Sequence, residues 1–170
     1  MNVNETTLPD SLRRLRTALG QFATGVTAIV TRDQNGAMVG LTANSFTSVS
    51  LDPPLVLWSL RRGARSYQAF KTCQYFVINV LASDQIEVAQ KFSAPCADRF
   101  AGISWSPSPS GGLPIFYGVS AWFECKTLSS YDAGDHTIFI AEVCDFSHVA
   151  RAPLLFHGGS YVQPNHSTAP

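Results

Sequence analysis

The chain has 170 residues, of which 45% are hydrophobic and only 14% are charged, which excludes a disordered chain and indicates one well-buried domain. Twelve basic and twelve acidic side chains balance to a net charge of zero, so the sequence offers no basic stripe for a nucleic-acid backbone. The four cysteines form no C-x-x-C pair, the apolar runs are too short for a membrane helix, and the first residues lack the pattern of a secretory leader. We therefore expect a cytoplasmic protein with neither a nucleic-acid nor a membrane partner.

A single domain is predicted over residues 11–163, between a flexible N-terminal tail (residues 1–10) and a flexible C-terminal tail (residues 164–170). The domain begins with an amphipathic helix, because Pro9-Asp10-Ser11 is a helix start and apolar residues follow it at helical spacing. These apolar residues are Leu12, Leu15, Leu19 and Phe22. Gly25 is expected to end this first element.

Most of the remaining chain has the composition of β-strands, with runs of β-branched and aromatic residues between turn signals. Strands are predicted over residues 26–31, 38–43, 55–60, 75–81, 119–128, 137–146, 154–156 and 161–162. Asn35-Gly36 predicts a hairpin between the first two of them. Further helices are predicted over residues 64–72 and from the capping residues 83–85 through Phe92.

The order of these elements favours an antiparallel barrel over a doubly wound parallel sheet, because hairpins join the strands and few helices interrupt them. A dinucleotide-binding fold would also require a Gly-x-Gly-x-x-Gly turn, which the sequence lacks. The stretch from Ser93 to Pro114 is rich in Ser, Pro and Gly and is too long for an idle connection. We therefore expect a functional loop there.

The sequence contains no Gly-x-Ser-x-Gly elbow, His-Glu-x-x-His pair or P-loop. Cys144 and His148 are four residues apart, but no further ligands stand at a matching spacing, so no metal site is predicted. The unusual segment is residues 40–50, where small, hydroxylated and amide side chains dominate. This segment is either a solvated turn or an uncharged cradle for an anionic or polyhydroxyl ligand, and composition alone favours neither.

Four segments carry a recognisable pattern in chain order: Phe22-Ala-Thr-Gly-Val-Thr27, Gly40-Leu-Thr-Ala-Asn-Ser-Phe-Thr-Ser-Val-Ser-Leu-Asp-Pro-Pro-Leu-Val56, Phe76-Val-Ile-Asn-Val-Leu81 and Gly134-Asp-His-Thr-Ile-Phe-Ile-Ala-Glu-Val143. Over about residues 12–163, the chain resembles the short-chain NAD(P)H:flavin reductase family, the reductase components of two-component flavin-dependent monooxygenases. The resemblance implies a mainly β fold, a flavin-binding split β-barrel of antiparallel Greek-key type that is usually a homodimer.

The same resemblance implies an enzyme that oxidises NADH or NADPH, reduces FMN or FAD and supplies the reduced flavin to a separate oxygenase component. Two rival functions remain open at this point. One is a pyridoxamine-phosphate oxidase-like enzyme on the same barrel, and the other is a carrier that binds flavin or heme without catalysis.

Flavin contacts are implied residue by residue. The segment Thr42, Ala43, Asn44, Ser45 and Phe46 would wrap the ribityl chain and phosphate, and Ser48 and Val49 would lie along the isoalloxazine ring. Other implied contacts are Ser59 and Leu60 at a strand end, Arg65 at the phosphate, and Phe92 and Ser93 at the start of a closing loop, with Arg99-Phe100 a weaker match. Taken alone, Arg65 is equally well explained as a solvated arginine at a helix start.

The nicotinamide nucleotide is implied to contact His136, within Gly134-Asp135-His136, and Tyr161. His136 would position that substrate by hydrogen bonding, because hydride transfer requires alignment and no base. Without the family pattern, His136 reads as a surface-loop histidine and Tyr161 as a strand residue with a buried ring. No compact cluster of Arg and Lys is evident near His136 in the sequence, which favours NADH over NADPH.

Overall fold

The computed structural model describes residues 9–95 and 98–164, so both predicted tails lie almost wholly outside the described residues, as does Cys96. Three helices occur in the described ranges: α1 (Asp10–Leu19), α2 (Tyr67–Thr72) and α3 (Ile86–Ser93). The strands are β1 (Thr24–Gly25), β2 (Thr27–Arg32), β3 (Met38–Ala43), β4 (Thr47–Leu51), β5 (Pro54–Arg61), β6 (Tyr75–Val80), β7 (Trp105–Pro107), β8 (Pro114–Phe116), β9 (Ala121–Ala133), β10 (His136–His148), β11 (Leu155–His157) and β12 (Ser160–Val162). None of the helices in these ranges is long and apolar enough to cross a membrane.

The strands form one large sheet and two small ones. The large sheet has seven strands in the order β3-β2-β6-β9-β10-β5-β4, and every neighbouring pair in it is antiparallel. The small sheets are β1-β11-β12 and β7-β8. The predicted fold class, mainly β and antiparallel, is confirmed, and so is the hairpin at Asn35-Gly36, which joins β2 to β3.

The hydrophobic core lies on both faces of the central strands. On one face, the large sheet curls until β3 approaches β5, which encloses the interior of the barrel. Inside this barrel, the Trp58 ring is fully buried, stacks on Phe139 at a centroid distance of 4.9 Å and meets Phe70 edge-on at 5.0 Å. On the outside of β2 and β6, helix α3 and the segment 105–116 cover a second apolar cluster. This burial on both faces explains why β6 is apolar except at Asn79, whose buried amide bonds to the main chain of Pro114 and Phe116.

The structure differs from the sequence prediction in two segments that were expected to be irregular. Residues 47–51 form β4, although their hydroxylated sequence predicted a turn or cradle, because they pair with β5. The long segment after Ser93 contains the hairpin β7-β8, in which each strand is only three residues long, with Pro107 ending the first and Pro114 beginning the second. Short strands of this kind are set by tertiary packing more than by local propensity.

Helix α1 is shorter than predicted and buries none of its side chains among the described residues. It ends at Leu19 because the chain turns there, with Gly158 N–H donating to the Gly20 carbonyl at 2.9 Å. The predicted apolar face nevertheless exists, and its four members, Leu12, Leu15, Leu19 and Phe22, are all exposed.

A buried carboxylate fastens the segment before β8 to the sheet. Glu124 on β9 is 0% exposed and accepts hydrogen bonds from the Ser108 hydroxyl at 2.5 Å, from Ser110 N–H at 2.9 Å and from Gly111 N–H at 2.6 Å. Burial raises the pKa of the Glu124 carboxyl, but these hydrogen bonds together outweigh it and hold the pKa below its ordinary value. The ionised form is therefore the stabilising one.

We expect Glu124→Gln to lower the free energy of unfolding by about 1.5–3 kcal/mol at pH 7, because an amide NH₂ group would face a main-chain N–H donor. The folded pKa lies below the unfolded one, so this stabilisation is complete above the unfolded pKa, about 4.3, and is lost as the pH falls through the folded pKa. Denaturant titrations at pH 7 and pH 3 check this, with the exposed Glu87→Gln as control. An equal gap between wild type and variant at both pH values would contradict it.

Candidate functional site

Strand register brings the predicted flavin segment and the predicted nicotinamide residue to one end of the large sheet. Ser59 on β5 lies opposite Ile138 on β10, and two residues further along, Arg61 lies opposite His136. On the other side of β5, the Ser45 hydroxyl bonds to the main chain of Ser59. The side chains of Ser59, Arg61 and His136 point away from the barrel interior, because their strand neighbours Leu60 and Thr137 are buried.

Ser45 fixes the course of the predicted flavin segment. Its hydroxyl accepts from Ser59 N–H at 3.0 Å and donates to the Ser59 carbonyl at 3.1 Å, which replaces a main-chain pairing just beyond the end of β4. From the sequence we expected the Ser45 side chain to face the ligand, but its hydroxyl proton is donated to the Ser59 carbonyl. Ser45 therefore sets the positions of its neighbours in this segment.

Other members of the segment are also held from within the protein. The Thr42 hydroxyl donates to the Ala89 carbonyl at 2.6 Å and so ties β3 to α3, and Ala43 belongs to the barrel core. Phe46 is half-buried, with its ring 5.5 Å from that of Phe123. Asn44 is the one residue of positions 42–46 whose side chain is exposed.

Strand β4 presents main-chain groups to a ligand as well as side chains. It is the last strand of its sheet and, among the described strands, pairs with β5 alone, so its outer edge can offer N–H groups to other acceptors. Ser48 and Val49 are both exposed, and a register shift between Ser48 and Ser50 leaves Val49 outside the pairing. The arrangement suits a flat ring whose edge accepts hydrogen bonds.

Two of the predicted contacts, Leu60 and Phe92, have buried side chains. Leu60 is 5% exposed and lies in the barrel core. Phe92 is 1% exposed and belongs to the last turn of α3, rather than to a closing loop, where its ring packs against Gly40. A Cβ atom at Gly40 would lie 2.5 Å from that ring, so glycine is needed for the close approach. Ser93 is exposed, and its hydroxyl donates to the Gln90 carbonyl at 2.9 Å.

A cationic pocket of about 260 Å³ lies beside Gly40, which precedes Thr42 by two residues in the chain. Its lining includes Gly40, Arg65, Ser66, Asp98, Arg99 and Phe100. The Arg99 guanidinium is held by main-chain carbonyls, donating through Nη1 to Gly40 at 2.7 Å and through Nη2 to Ala94 at 3.0 Å. Its Nε atom is buried and has no hydrogen-bond partner among the described residues. A positive group held in this way fits an anionic ligand such as a phosphate.

The His136 side chain is 34% exposed, and its Nδ1 lies 2.7 Å from Oδ1 of Asp135. The hydrogen bond to His136 holds the pKa of the Asp135 carboxyl below its usual range, helped by the charges of His136 and Arg61. Asp135 is therefore ionised and can only accept, so Nδ1 of His136 carries the proton it donates. This leaves Nε2 as the nitrogen available to a substrate.

The structure places two arginines beside His136 that lie more than 70 residues before it in the chain. Arg61 lies opposite His136, and Arg62 donates through Nη2 to the Gly134 carbonyl at 2.7 Å. Each faces a carboxylate, with Arg61 Nε 3.7 Å from Asp135 Oδ2 and Arg62 Nη1 3.7 Å from Asp132 Oδ2. From the sequence we inferred that no basic cluster lies near His136, but the folded chain places Arg61 and Arg62 there. Each of these two positive charges lies beside a carboxylate.

Tyr161 is placed on the separate three-stranded sheet, opposite Phe156 on β11. The two rings are 5.5 Å apart and pack against the cluster outside β2 and β6. The structure thus accounts for the Tyr161 ring by packing. The contact of this residue with a nucleotide remains a prediction.

Comparison with known proteins gives several relatives. The chain is 43% identical over 159 residues to the reductase component of a flavin-dependent trigonelline monooxygenase from Acinetobacter baylyi, covering 94% of this chain but 51% of that protein. It is 40% identical over 152 residues to the FMN reductase (NADH) SmoA from Agrobacterium fabrum, covering 89% of this chain and 86% of SmoA. The chain therefore spans about half of the first relative and most of the second.

Among solved structures, the chain is similar to the NADH:FAD oxidoreductase SgcE6 from Streptomyces globisporus, in complex with NAD and FAD fragments. The TM-score is 0.88 and the sequence identity is 35%, with 95% of this chain and 98% of that chain covered. Residues 19–165 match the family described as "Flavin reductase like domain". Fold, site and comparisons lead to the same conclusion, and the chain belongs to the flavin reductase like domain family.

Proposed function

We propose that this protein is an NADH-dependent flavin reductase that transfers hydride to FMN or FAD and supplies the reduced flavin to a separate monooxygenase component. The observation that carries the proposal is the meeting of the Ser45–Ser59 pair and His136 at one end of the sheet. Relatives named FMN reductase (NADH) and NADH:FAD oxidoreductase support the substrates, and a relative named as a monooxygenase reductase component supports the partner.

The flavin would lie along β4, with the free edge of that strand facing the ring and exposed Asn44 facing the ribityl chain. Main-chain N–H groups aimed at the ring stabilise the negative charge that grows there on reduction. The pocket lined by Arg65 and Arg99 takes the phosphate. Thr42, Ala43 and Ser45 set the path of the segment, and the main chain beside Leu60, Phe92 and Ser93 completes the predicted surroundings.

The nicotinamide nucleotide would meet His136 on the same outward face. Hydride passes from C4 of the nicotinamide to N5 of the flavin when the two rings are stacked, so the protein supplies alignment. The Nε2 atom of His136 donates to or accepts from the nucleotide according to its protonation state, while Asp135 holds the ring. NADH is favoured over NADPH because Arg61 and Arg62 each lie beside a carboxylate, which offsets the attraction of their charges for a 2′-phosphate.

We expect catalytic amounts of the protein to bleach FMN or FAD absorbance under anaerobic conditions with NADH. His136→Ala should raise the Michaelis constant for NADH and lower kcat/KM about tenfold to a hundredfold, with flavin affinity hardly changed, because the imidazole touches only the second substrate. Anaerobic stopped-flow reduction at varied NADH concentration measures this, and rates with all four flavin and nicotinamide pairings identify the substrates.

The outcomes separate the rival functions. Flavin binding without bleaching would indicate a carrier, and oxidation of a pyridoxamine phosphate by bound FMN would indicate the other enzyme on this barrel. A His136→Ala variant with wild-type affinity and limiting rate would show that His136 is a loop histidine and that the nicotinamide lies elsewhere.

Asn44→Ala should weaken flavin binding about threefold to tenfold, the equivalent of one hydrogen bond, with the melting temperature unchanged because the side chain is exposed. Ser45→Ala should weaken binding and also lower the melting temperature, because the Ser59 main chain loses both partners. Fluorescence titration with FMN and FAD, next to thermal melts, checks both expectations. The exposed Gln68→Ala serves as the control, and an unchanged flavin dissociation constant in the double variant would remove this segment from the site.

A homodimer is the proposed assembly, because the outward face of the large sheet is apolar where solvent would favour polar groups. Its members on β5, β9 and β10 are Leu55, Leu57, Tyr131, Ile138 and Ile140. The exposed apolar face of α1 is a second surface that a copy of the chain would cover. We further propose a reducing cytoplasm as the compartment, supported by the free thiols of Cys73, Cys125 and Cys144.

We expect light scattering at micromolar concentration to give twice the 18.4 kDa mass of the chain, with an interface of upwards of about 2,000 Å². Ile140→Lys should raise the dimer dissociation constant more than a hundredfold, since an unpaired charge buried in an interface costs about 3–5 kcal/mol. Gln34→Lys, in an exposed turn, is the control for added charge. A fully active monomer would contradict the assembly.

A further inference from the structure

The residue after His136 is the buried middle member of a chain of hydrogen bonds that the proposed function does not use; Tyr67 at one end is half-buried and Asp132 at the other is exposed. Thr137 is 0% exposed, and its hydroxyl donates to Oδ1 of Asp132 at 2.7 Å across the β9-β10 hairpin. The Tyr67 hydroxyl on α2 lies 3.0 Å from the same Thr137 oxygen. Helix α2 therefore meets the β9-β10 hairpin, which lies far from it in sequence, at one hydroxyl group.

The direction of this chain is fixed by the chemistry of its members. The hydrogen bond from Thr137 is the largest cause that holds the pKa of the Asp132 carboxyl below its usual range, so Asp132 is ionised and only accepts. Thr137 has one proton and donates it to Asp132, so the Tyr67 hydroxyl donates to Thr137. Protons all point from Tyr67 towards the carboxylate, an arrangement in which each bond strengthens the next.

The carboxylate end of this chain is joined to the turn that carries His136. Arg62 Nη1 lies 3.7 Å from Oδ2 of Asp132, while its Nη2 donates to the Gly134 carbonyl and its own N–H donates to the Asp135 carbonyl at 2.9 Å. Gly134 adopts φ 61°, a left-handed conformation that favours glycine in the turn. The hairpin is thus held from α2 on one side and from the end of β5 on the other.

The contacts of Thr137 and His136 lie on opposite sides of one strand. Consecutive strand residues point to opposite faces, so a shift of Thr137 moves His136 in the same direction. The outward-facing His136 has its own contact to Asp135, which sets the ring orientation but not the position of the strand. The ladder with β5 sets the register of the strand, and the inward contacts of Thr137 add to its position at this end.

We propose that Tyr67, Thr137 and Asp132 are positioning residues for the nicotinamide site, holding the β9-β10 hairpin so that His136 meets the nucleotide in a productive place. The inference rests on the proposed role of His136 in binding NADH. None of the three touches a substrate. Their effect is transmitted through the strand to His136, and the flavin segment on the far side of β5 is not part of this chain.

The test compares variants that remove a hydroxyl group with one that keeps it. Thr137→Val keeps the shape and removes both hydrogen bonds, so it should raise the Michaelis constant for NADH about threefold to tenfold, with a smaller change in limiting rate and none in flavin affinity. Tyr67→Phe removes one bond and should give a smaller rise. Thr137→Ser keeps the hydroxyl and should restore wild-type kinetics. Tyr75→Phe is the matched control, because no side-chain hydrogen bond joins the Tyr75 hydroxyl to the described residues.

A double-variant cycle separates positioning from general stability. If Thr137 acts through His136, Thr137→Val adds no further rise in the NADH Michaelis constant to the His136→Ala protein. Additive effects, equal effects of Thr137→Val and Thr137→Ser, or a flavin dissociation constant that rises as much as the Michaelis constant would each overturn the inference. If His136→Ala alone leaves NADH kinetics unchanged, the proposed function of His136 fails and this inference with it. If only the hydroxyl variants are silent, the inference alone fails.

Discussion

The pairing of β5 with β10 is the constraint on which the site depends. Within this ladder, Trp58, Leu60, Thr137 and Phe139 point inward, while Ser59, Arg61, His136 and Ile138 point outward. A slip of one residue would exchange these two sets, placing an arginine and a histidine in the core. The buried Trp58 ring, stacked on Phe139 from the neighbouring strand, fixes the register because no other residue of β5 would fill that space.

The same alternation of inward and outward side chains separates three groups of residues. The inward side chains form the barrel core, and the outward apolar side chains form the face proposed to meet a second copy of the chain. The outward polar side chains at the end of the ladder form the proposed site. Because this end adjoins the apolar face on the same strands, a ligand bound there would lie beside the partner chain in the proposed dimer.

Sequence reasoning predicted the parts of this structure that depend on local pattern. The β2-β3 hairpin follows from Asn35-Gly36, and β3 was predicted with the bounds that it has. Sequence reasoning failed for β4, because the hydroxylated residues 47–51 lack an alternation of apolar and polar side chains. They form a strand because they pair with β5 in the folded chain. Tertiary contacts also explain Phe92, whose burial requires a glycine 52 positions earlier in the chain, at Gly40. The Arg61–His136 neighbourhood is likewise invisible before the strands are paired.

The region around Arg61 and Arg62 and the pocket around Arg99 are both cationic, but their arginines have different partners. Ionic strength should therefore affect the two regions differently. Arg61 and Arg62 face carboxylates, whereas the Arg99 guanidinium is oriented by main-chain carbonyls, which hold it without cancelling its charge. Added salt screens an uncompensated charge over about 8–10 Å but changes little where opposite charges already lie side by side. Salt would therefore weaken the proposed capture of a phosphate beside Arg99 more than it would change the surroundings of His136, and the Asp98 carboxylate that lines the same pocket would limit the size of that effect.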